Sequence, residues 1–236
     1  MLTVEEFGAR MLPSVIILEE AGKPVGYAFW QVFGSRARVS HVVVDGRARG
    51  RGAGRALMEE IRRRVLAVAC TRWSLNVKQA NVPAIRLYKR CGLAIEQEGW
   101  EVRAEWSQLA SLPGPRGEVI TYTPESAEDA VLATRLDEPP ERLASLRGRA
   151  GMVFLGLREA GAPVGFAGFD PAFPRIYPIY VERVELARPL FDGLRLLARV
   201  SQVKVLIEGN RALFDSLQTS GAQVEQERYR MGGALV

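Results

Sequence analysis

Residues 42–61 read VVVDGRARGRGAGRALMEEI. The stretch opens as a β-branched apolar run, Val42–Val44, and ends in a segment with helical spacing. Leu57, Ile61, Val65 and Ala69 recur every fourth residue, while Glu59, Glu60, Arg62 and Arg63 fall largely off that stripe. Between strand and helix stands Arg49-Gly50-Arg51-Gly52-Ala53-Gly54, followed by Arg55. A helix start leaves its first four N–H groups without intrahelical partners and carries about half a positive charge. Glycines there let an anion approach the backbone, and the arginines add charge-assisted hydrogen bonds. The stretch therefore reads as an anion cradle at the entry of a helix over 52–69. The competing reading is an arginine-rich, solvated helix start that contacts nucleic acid.

The chain has 236 residues, enough for two domains of about 100–120. Its formal charge of +5 is unevenly placed. Residues 1–117 hold 18 Lys and Arg against 11 Asp and Glu, and residues 118–236 hold 14 against 16, so the positive field belongs to the first half. No apolar run approaches the roughly 20 residues of a membrane span, and the start MLTVEEFGARMLPS lacks the layout of a signal peptide. Two cysteines, Cys70 and Cys91, and one histidine, His41, match no metal motif. The expectation is a cytoplasmic protein without metal or membrane partner.

The sequence repeats itself. EAGKPVGY at 20–27 matches EAGAPVGF at 159–166, each between two apolar runs, so each Ala-Gly pair reads as a hairpin turn. NVPAIRLYKRCGL at 81–93 matches NRALFDSLQTSGA at 210–222, pairing Asn81 with Asn210, Gly92 with Gly221 and Tyr88 with Leu217. The second copy has lost ten residues from the interval that carries the glycine run in the first, since the offset falls from 139 to 129. This predicts a first domain over 1–110, a Pro/Gly-rich linker over 111–117 and a second, degenerate domain over 118–236. In the first copy, strands are expected over 14–20, 25–33, 36–45 and 73–78. A helix follows, capped by Asn81 and stopped at Gly92, and then two closing strands, 93–99 and 101–107. The second copy adds an amphipathic stretch, TPESAEDAVLATRLDEPPERLASL, ahead of its hairpin. The first has only MLTVEEFGARML there, as if a first strand and helix were missing or the start codon were set too late.

The order of these elements, with the Arg/Gln-x-x-Gly-x-Gly/Ala run at 49–54 and the later Asn81, Leu87-Tyr88 and Gly92-Leu93, resembles the GCN5-related N-acetyltransferase (GNAT) family. The two motifs cover about 60 residues in the right order. The resemblance implies a mixed α/β fold of two GNAT-like domains, each a mostly antiparallel mixed sheet flanked by helices, with a splay between strands four and five. It implies that acetyl-coenzyme A is bound by Val42, Val43, Val44, Arg49, Gly50, Arg51, Gly52, Ala53, Gly54, Arg55, Asn81, Ala84 and Tyr88. The pantetheine would lie in the gap against backbone groups of Val42 and Val44, one of which would polarise the acetyl carbonyl. Tyr88 would protonate the leaving thiolate, a transfer consistent with a phenol pKa of about 10 and a thiol pKa of about 8.5.

His41 is the candidate general base, against the plainer reading of a lone histidine at a strand start, satisfied by a neighbour. Water could serve instead, with Glu19 or Glu20 acting through it. The second copy, without the glycine run or the tyrosine, is expected neither to bind the cofactor nor to catalyse. The leading reading is transfer of an acetyl group from acetyl-coenzyme A to an amine, on a small molecule, peptide or protein, in a ternary complex. The alternative is a non-catalytic coenzyme A-binding module. Nucleic-acid binding through Arg47–Arg64 is disfavoured, because no aromatic residues interleave with the arginines. The two copies could form an internal pseudo-dimer in a monomer, or the chain could form a homodimer.

Overall fold

The computed structural model describes residues 14–236. The segment MLTVEEFGARML, on which the expectation of a truncated start rests, lies outside the described residues. The chain divides into two compact units. One comprises the described residues through Gln97 together with Tyr229–Val236, and the other is Glu98–Arg228. The division thus falls inside a strand and not at SLPGPRG, which has no regular secondary structure but belongs to the second unit.

The first unit opens with β1 (Val15–Glu20), β2 (Lys23–Phe33) and β3 (Arg36–Val44), an antiparallel meander. Helix α1 (Ala53–Ala67) follows and leads to β4 (Arg72–Lys78), which pairs parallel with β3. Helix α2 (Val82–Arg90) precedes β5 (Ala94–Glu105). The two closing strands expected at 93–99 and 101–107 are one strand of 12 residues, because Gly99 and Trp100 continue the extended backbone without a turn. Helix α1 buries Leu57, Met58, Ile61 and Val65 against the sheet. Ala69 does not continue that stripe. The helix ends at Ala67, and Ala69 takes a left-handed turn (φ 59°) that delivers Cys70 to the core.

The same element order recurs in the second unit. After α3 (Trp106–Ala110) and β6 (Ile120–Tyr122), α4 (Asp129–Arg135) and α5 (Pro140–Arg147) account for the amphipathic stretch. Then come β7 (Val153–Glu159), β8 (Ala162–Asp170), β9 (Arg175–Val181), α6 (Ala187–Arg195), β10 (Gln202–Glu208), α7 (Arg211–Thr219) and β11 (Gln223–Ala234). The likeness extends to irregularities. Both hairpins turn at Ala-Gly pairs with positive φ, Ala21-Gly22 and Ala160-Gly161. The register slips between Leu18 and Glu19 in one and between Leu157 and Arg158 in the other. Asn81 accepts the Ala84 N–H at its helix start as Asn210 accepts the Leu213 N–H, and the helices stop at Gly92 (φ 88°) and Gly221 (φ 92°). Such bulges and caps depend on local backbone geometry, so their recurrence at matched positions reflects a shared supersecondary plan.

The last eight residues, Tyr229–Val236, belong to the first unit, where β11 adjoins β4 in strand order. Met231 and Leu235 are buried in the first unit's core, and the Leu235 N–H donates to the Thr71 carbonyl at 2.9 Å. Gly233 packs so closely that a Cβ there would collide with the Gly92 carbonyl oxygen, a backbone atom that cannot swing away. Gly233→Ala is therefore expected to destabilise the protein by roughly 1–3 kcal/mol in urea denaturation. Val236→Ala, at a side chain 93% exposed, should stay within about 0.5 kcal/mol of wild type.

Candidate acyl-donor cleft

Strands β3 and β4 pair over four positions, from Arg36 opposite Arg72 to Val39 opposite Leu75. Both strands then continue, β3 to Val44 and β4 to Lys78, without further pairing. The separation begins where β3 bulges. Phe29 of β2 faces His41 and Trp30 faces Val39, which leaves Ser40 as the extra residue. Beyond the bulge, Asp45 donates its N–H to the Val25 carbonyl at 2.8 Å, so Asp45 and Val43 turn their backbone groups toward β2. Strand alternation then turns the backbone groups of Val42 and Val44 toward the edge that β4 has left. The Arg49 Nε donates to the Val44 carbonyl at 3.1 Å from across the turn.

That turn ends in Gly52, the N-cap of α1, at φ 90° and ψ −8°. A side chain there would be strained, which explains glycine at this position. No side chain caps the helix, so its first-turn N–H groups are left for another acceptor. Gly54 has a different reason to be glycine. A Cβ would lie 3.0 Å from the Leu87 Cδ2, so the start of α1 packs against α2 at this point.

Together these features frame a cleft of about 1280 Å³ in the first unit. It is lined by Val42, Val43, Val44, Arg49, Gly50, Gly52, Ala53, Gly54, Arg55, Asn81, Ala84 and Tyr88, which is every residue expected at the donor site except Arg51 and His41. Arg51 instead reaches to an ion pair with Glu20 of the first hairpin. His41 is exposed beside the rings of Tyr27 and Phe29, with centroids 6.3 and 6.2 Å away, and does not line the cleft. Trp73 and Cys91, which the sequence did not mark as site residues, also line it, as do Ala234 and Val236 from the far end of the chain. The paired glycines in Met231-Gly232-Gly233-Ala234 were a signal of close backbone approach within a strand.

Tyr88 is 8% exposed, and burial, with Cys91 adding to it, pushes its phenol above the ordinary 10.0. The phenol is thus protonated at neutral pH and able to donate. Burial and Glu59 likewise push the Cys91 thiol up, against the opposing pull of Arg55, so it is no ready nucleophile. Among the lining residues Glu59 is the carboxylate, and it accepts from Arg55 at 2.7 Å. The other arginines of α1 are also engaged. Arg63 and Arg64 both bind Glu60 at 2.7 Å and hold its carboxyl at about 2. No group of three or more potential metal ligands occurs among the described residues. Nor is any described helix long and apolar enough to cross a membrane.

Residues 4–93 match the profile of the acetyltransferase (GNAT) family. A search of curated proteins finds no match. Among solved structures, the chain is similar to a GCN5-related N-acetyltransferase from Sphaerobacter thermophilus (TM-score 0.60, 16% identity, 94% of this chain and 81% of the other). It is also similar to one from Anabaena variabilis (TM-score 0.61, 13% identity, 98% and 65%). A third is the tandem GNAT protein from the clavulanic acid biosynthesis pathway (TM-score 0.58, 19% identity, 95% and 84%). At these identities the likeness is one of fold. The chain therefore has a mixed α/β, GNAT-like fold, and the segment with the family's profile supplies most of the cleft's lining. Similarity to acetyltransferases makes acyl transfer the activity to test.

The buried phenol gives a pH signature with a definite sign. The folded state holds the Tyr88 proton more tightly than the unfolded chain does. This leaves the contribution intact below the ordinary value of 10.0 and erodes it as pH rises toward the folded value. Urea denaturation at pH 8 and at about pH 10.5 should show the stability difference between wild type and Tyr88→Phe shrinking at the higher pH.

Proposed function

We propose that the first unit transfers an acetyl group from acetyl-coenzyme A to an amine, and that the chain is a tandem of two GNAT-like copies of which only the first is active. The observation that carries this reading is the convergence, in one cleft, of the separated β3 edge, the uncapped glycine turn and the buried Tyr88. The pyrophosphate would sit on the N–H groups at the start of α1, with Arg49 and Arg55 beside it. The pantetheine would run along Val42–Val44, pairing with the backbone groups that β4 leaves open, and the acetyl carbonyl would take a hydrogen bond from a backbone N–H there.

The acceptor nitrogen attacks the thioester carbonyl carbon, the new C–N bond forms and the C–S bond breaks. The Tyr88 hydroxyl gives its proton to the departing sulfur, and the proton of the attacking amine passes to water. His41, exposed and outside the cleft, is not assigned the base role. A second reading, coenzyme A binding without turnover, is favoured by one observation. The carboxylate among the lining residues, Glu59, is held by Arg55, which leaves no unengaged carboxylate in that set.

The second copy lacks two elements of the donor site, the glycine turn and the tyrosine. No residue between Val181 and Ala187 has positive φ, and Leu186 from that turn is fully buried. Leu217, at the position matching Tyr88, packs in the core beside the stacked Trp100 and Phe214 rings, whose centroids are 4.4 Å apart.

Thermal unfolding with acetyl-coenzyme A should show wild type and Tyr88→Phe stabilised by roughly 2.7 kcal/mol at a hundredfold excess over Kd, and Gly52→Glu not at all. In a turnover assay over a panel of amines, Tyr88→Phe should lose about 10²-fold or more in kcat. No stabilisation of wild type would overturn the donor-site reading. Stabilisation without turnover on any amine would select the binding module.

A further inference from the structure

The second unit holds a cavity of about 640 Å³ that the acetyl-transfer reading does not use. Its cations are Arg103, Arg149, Arg175 and Lys204. Three of them form a row fixed by strand register. Lys204 of β10 stands opposite Arg103 of the antiparallel β5 and opposite Arg175 of the parallel β9. Residues directly opposite share a face of the sheet, at about 4.8 Å per strand, and like charges so placed repel.

The row is only partly neutralised. Glu225 lies 2.6 Å from the Lys204 Nζ and also pairs with Arg103. Glu101 lies 3.5 Å from Lys204 and 3.6 Å from Arg175, but its other oxygen is taken by Arg228 at 2.6 Å. Arg149, exposed in the turn before β7, has no acidic partner among the described residues. The cavity's own carboxylate, Asp170, is occupied by the Ala172 and Phe173 N–H groups, at 3.0 and 3.3 Å. Glu105, opposite Gln202 and accepting from its amide at 2.6 Å, is the fourth carboxylate on this face, so five cations face four carboxylates, an excess of one positive charge. The Asp170 turn also fixes Phe173 at the rim, where its ring is 71% exposed, and Leu146 and Met152 add apolar wall.

We propose that this cavity binds a small organic phosphate. The phosphate sits between Lys204, Arg175 and Arg149, and the ring or apolar portion lies against Phe173 and Met152. A phosphate monoester carries about −1.5 to −2 at neutral pH, opposite in sign to the excess. Guanidinium forks suit its oxygens, and a cavity of this size holds more than the bare ion. The proposal is independent of the donor cleft, which belongs to the other unit.

Calorimetric titration of the full chain with phenyl phosphate, a monoester with a ring and no nucleotide, tests it. Saturable binding is expected, at least threefold tighter than for inorganic phosphate. It should weaken about tenfold or more in Lys204→Gln and in Arg149→Gln and be unchanged in Gly52→Glu. Arg149→Gln guards against a folding artefact, because it removes no ion pair among the described residues. Absence of saturable heat would overturn the proposal. So would loss of binding in Gly52→Glu with Arg149→Gln at wild-type affinity, which would move the phosphate to the glycine turn. Equal affinity for inorganic phosphate would overturn the assignment of an organic ligand.

Discussion

Everything about the candidate site depends on two parallel strands that stop pairing halfway. A backbone N–H or C=O removed from water needs a partner, so a sheet does not open between two strands without consequence. Here β3 and β4 part after Val39 and Leu75, at the bulge of Ser40, and the groups of Val42 and Val44 face the gap. The Arg49 side chain takes the Val44 carbonyl, and the rest of the edge is presented to the cleft. The glycine turn and Tyr88 matter because they line the same cleft as that edge.

The second unit shows what the same plan becomes without a ligand edge. Strands β9 and β10 pair over only Arg175–Ile176 and Lys204–Val205, yet the turn after β9 carries no glycine and sends Leu186 inward. Leu190, Leu213 and Leu217 are buried in the same core. Apolar side chains there stabilise by packing, where the first unit keeps an open cleft. The shared hairpin bulges and asparagine caps mark common architecture, and the turn after β9 is where the two units diverge.

Charge follows the same division of roles. The arginines of α1 are largely tied to Glu59 and Glu60 one turn away and so do not form a free nucleic-acid surface. Exposed pairs of this kind contribute little stability, but they remove a free cationic stripe. In the second unit unneutralised charge lies in the sheet row, although residues 118–236 are net acidic. Net charge by segment conceals it, because register, and not composition, put Arg103, Lys204 and Arg175 side by side.

The sequence alone determined what is local. The Ala-Gly hairpins, the Asn81 cap, the Gly92 stop, the apolar stripe of α1 and the glycine run before it follow from dihedral preferences and periodicity within a few residues, and the structure has them where the pattern put them, except that the stripe ends at Val65 and Ala69 lies beyond the helix. Only the tertiary structure decided what is long-range. It made one strand of 94–105, counted Tyr229–Val236 with the first unit and brought Ala234 and Val236 to the cleft. It also paired Arg51 with Glu20 and left His41 outside. None of these has a local signature, because each depends on strand partners and backbone approaches set by residues tens to hundreds of positions away. A short pattern fixes the conformation of its own segment, while the contacts that segment makes depend on which surfaces the rest of the chain brings to it.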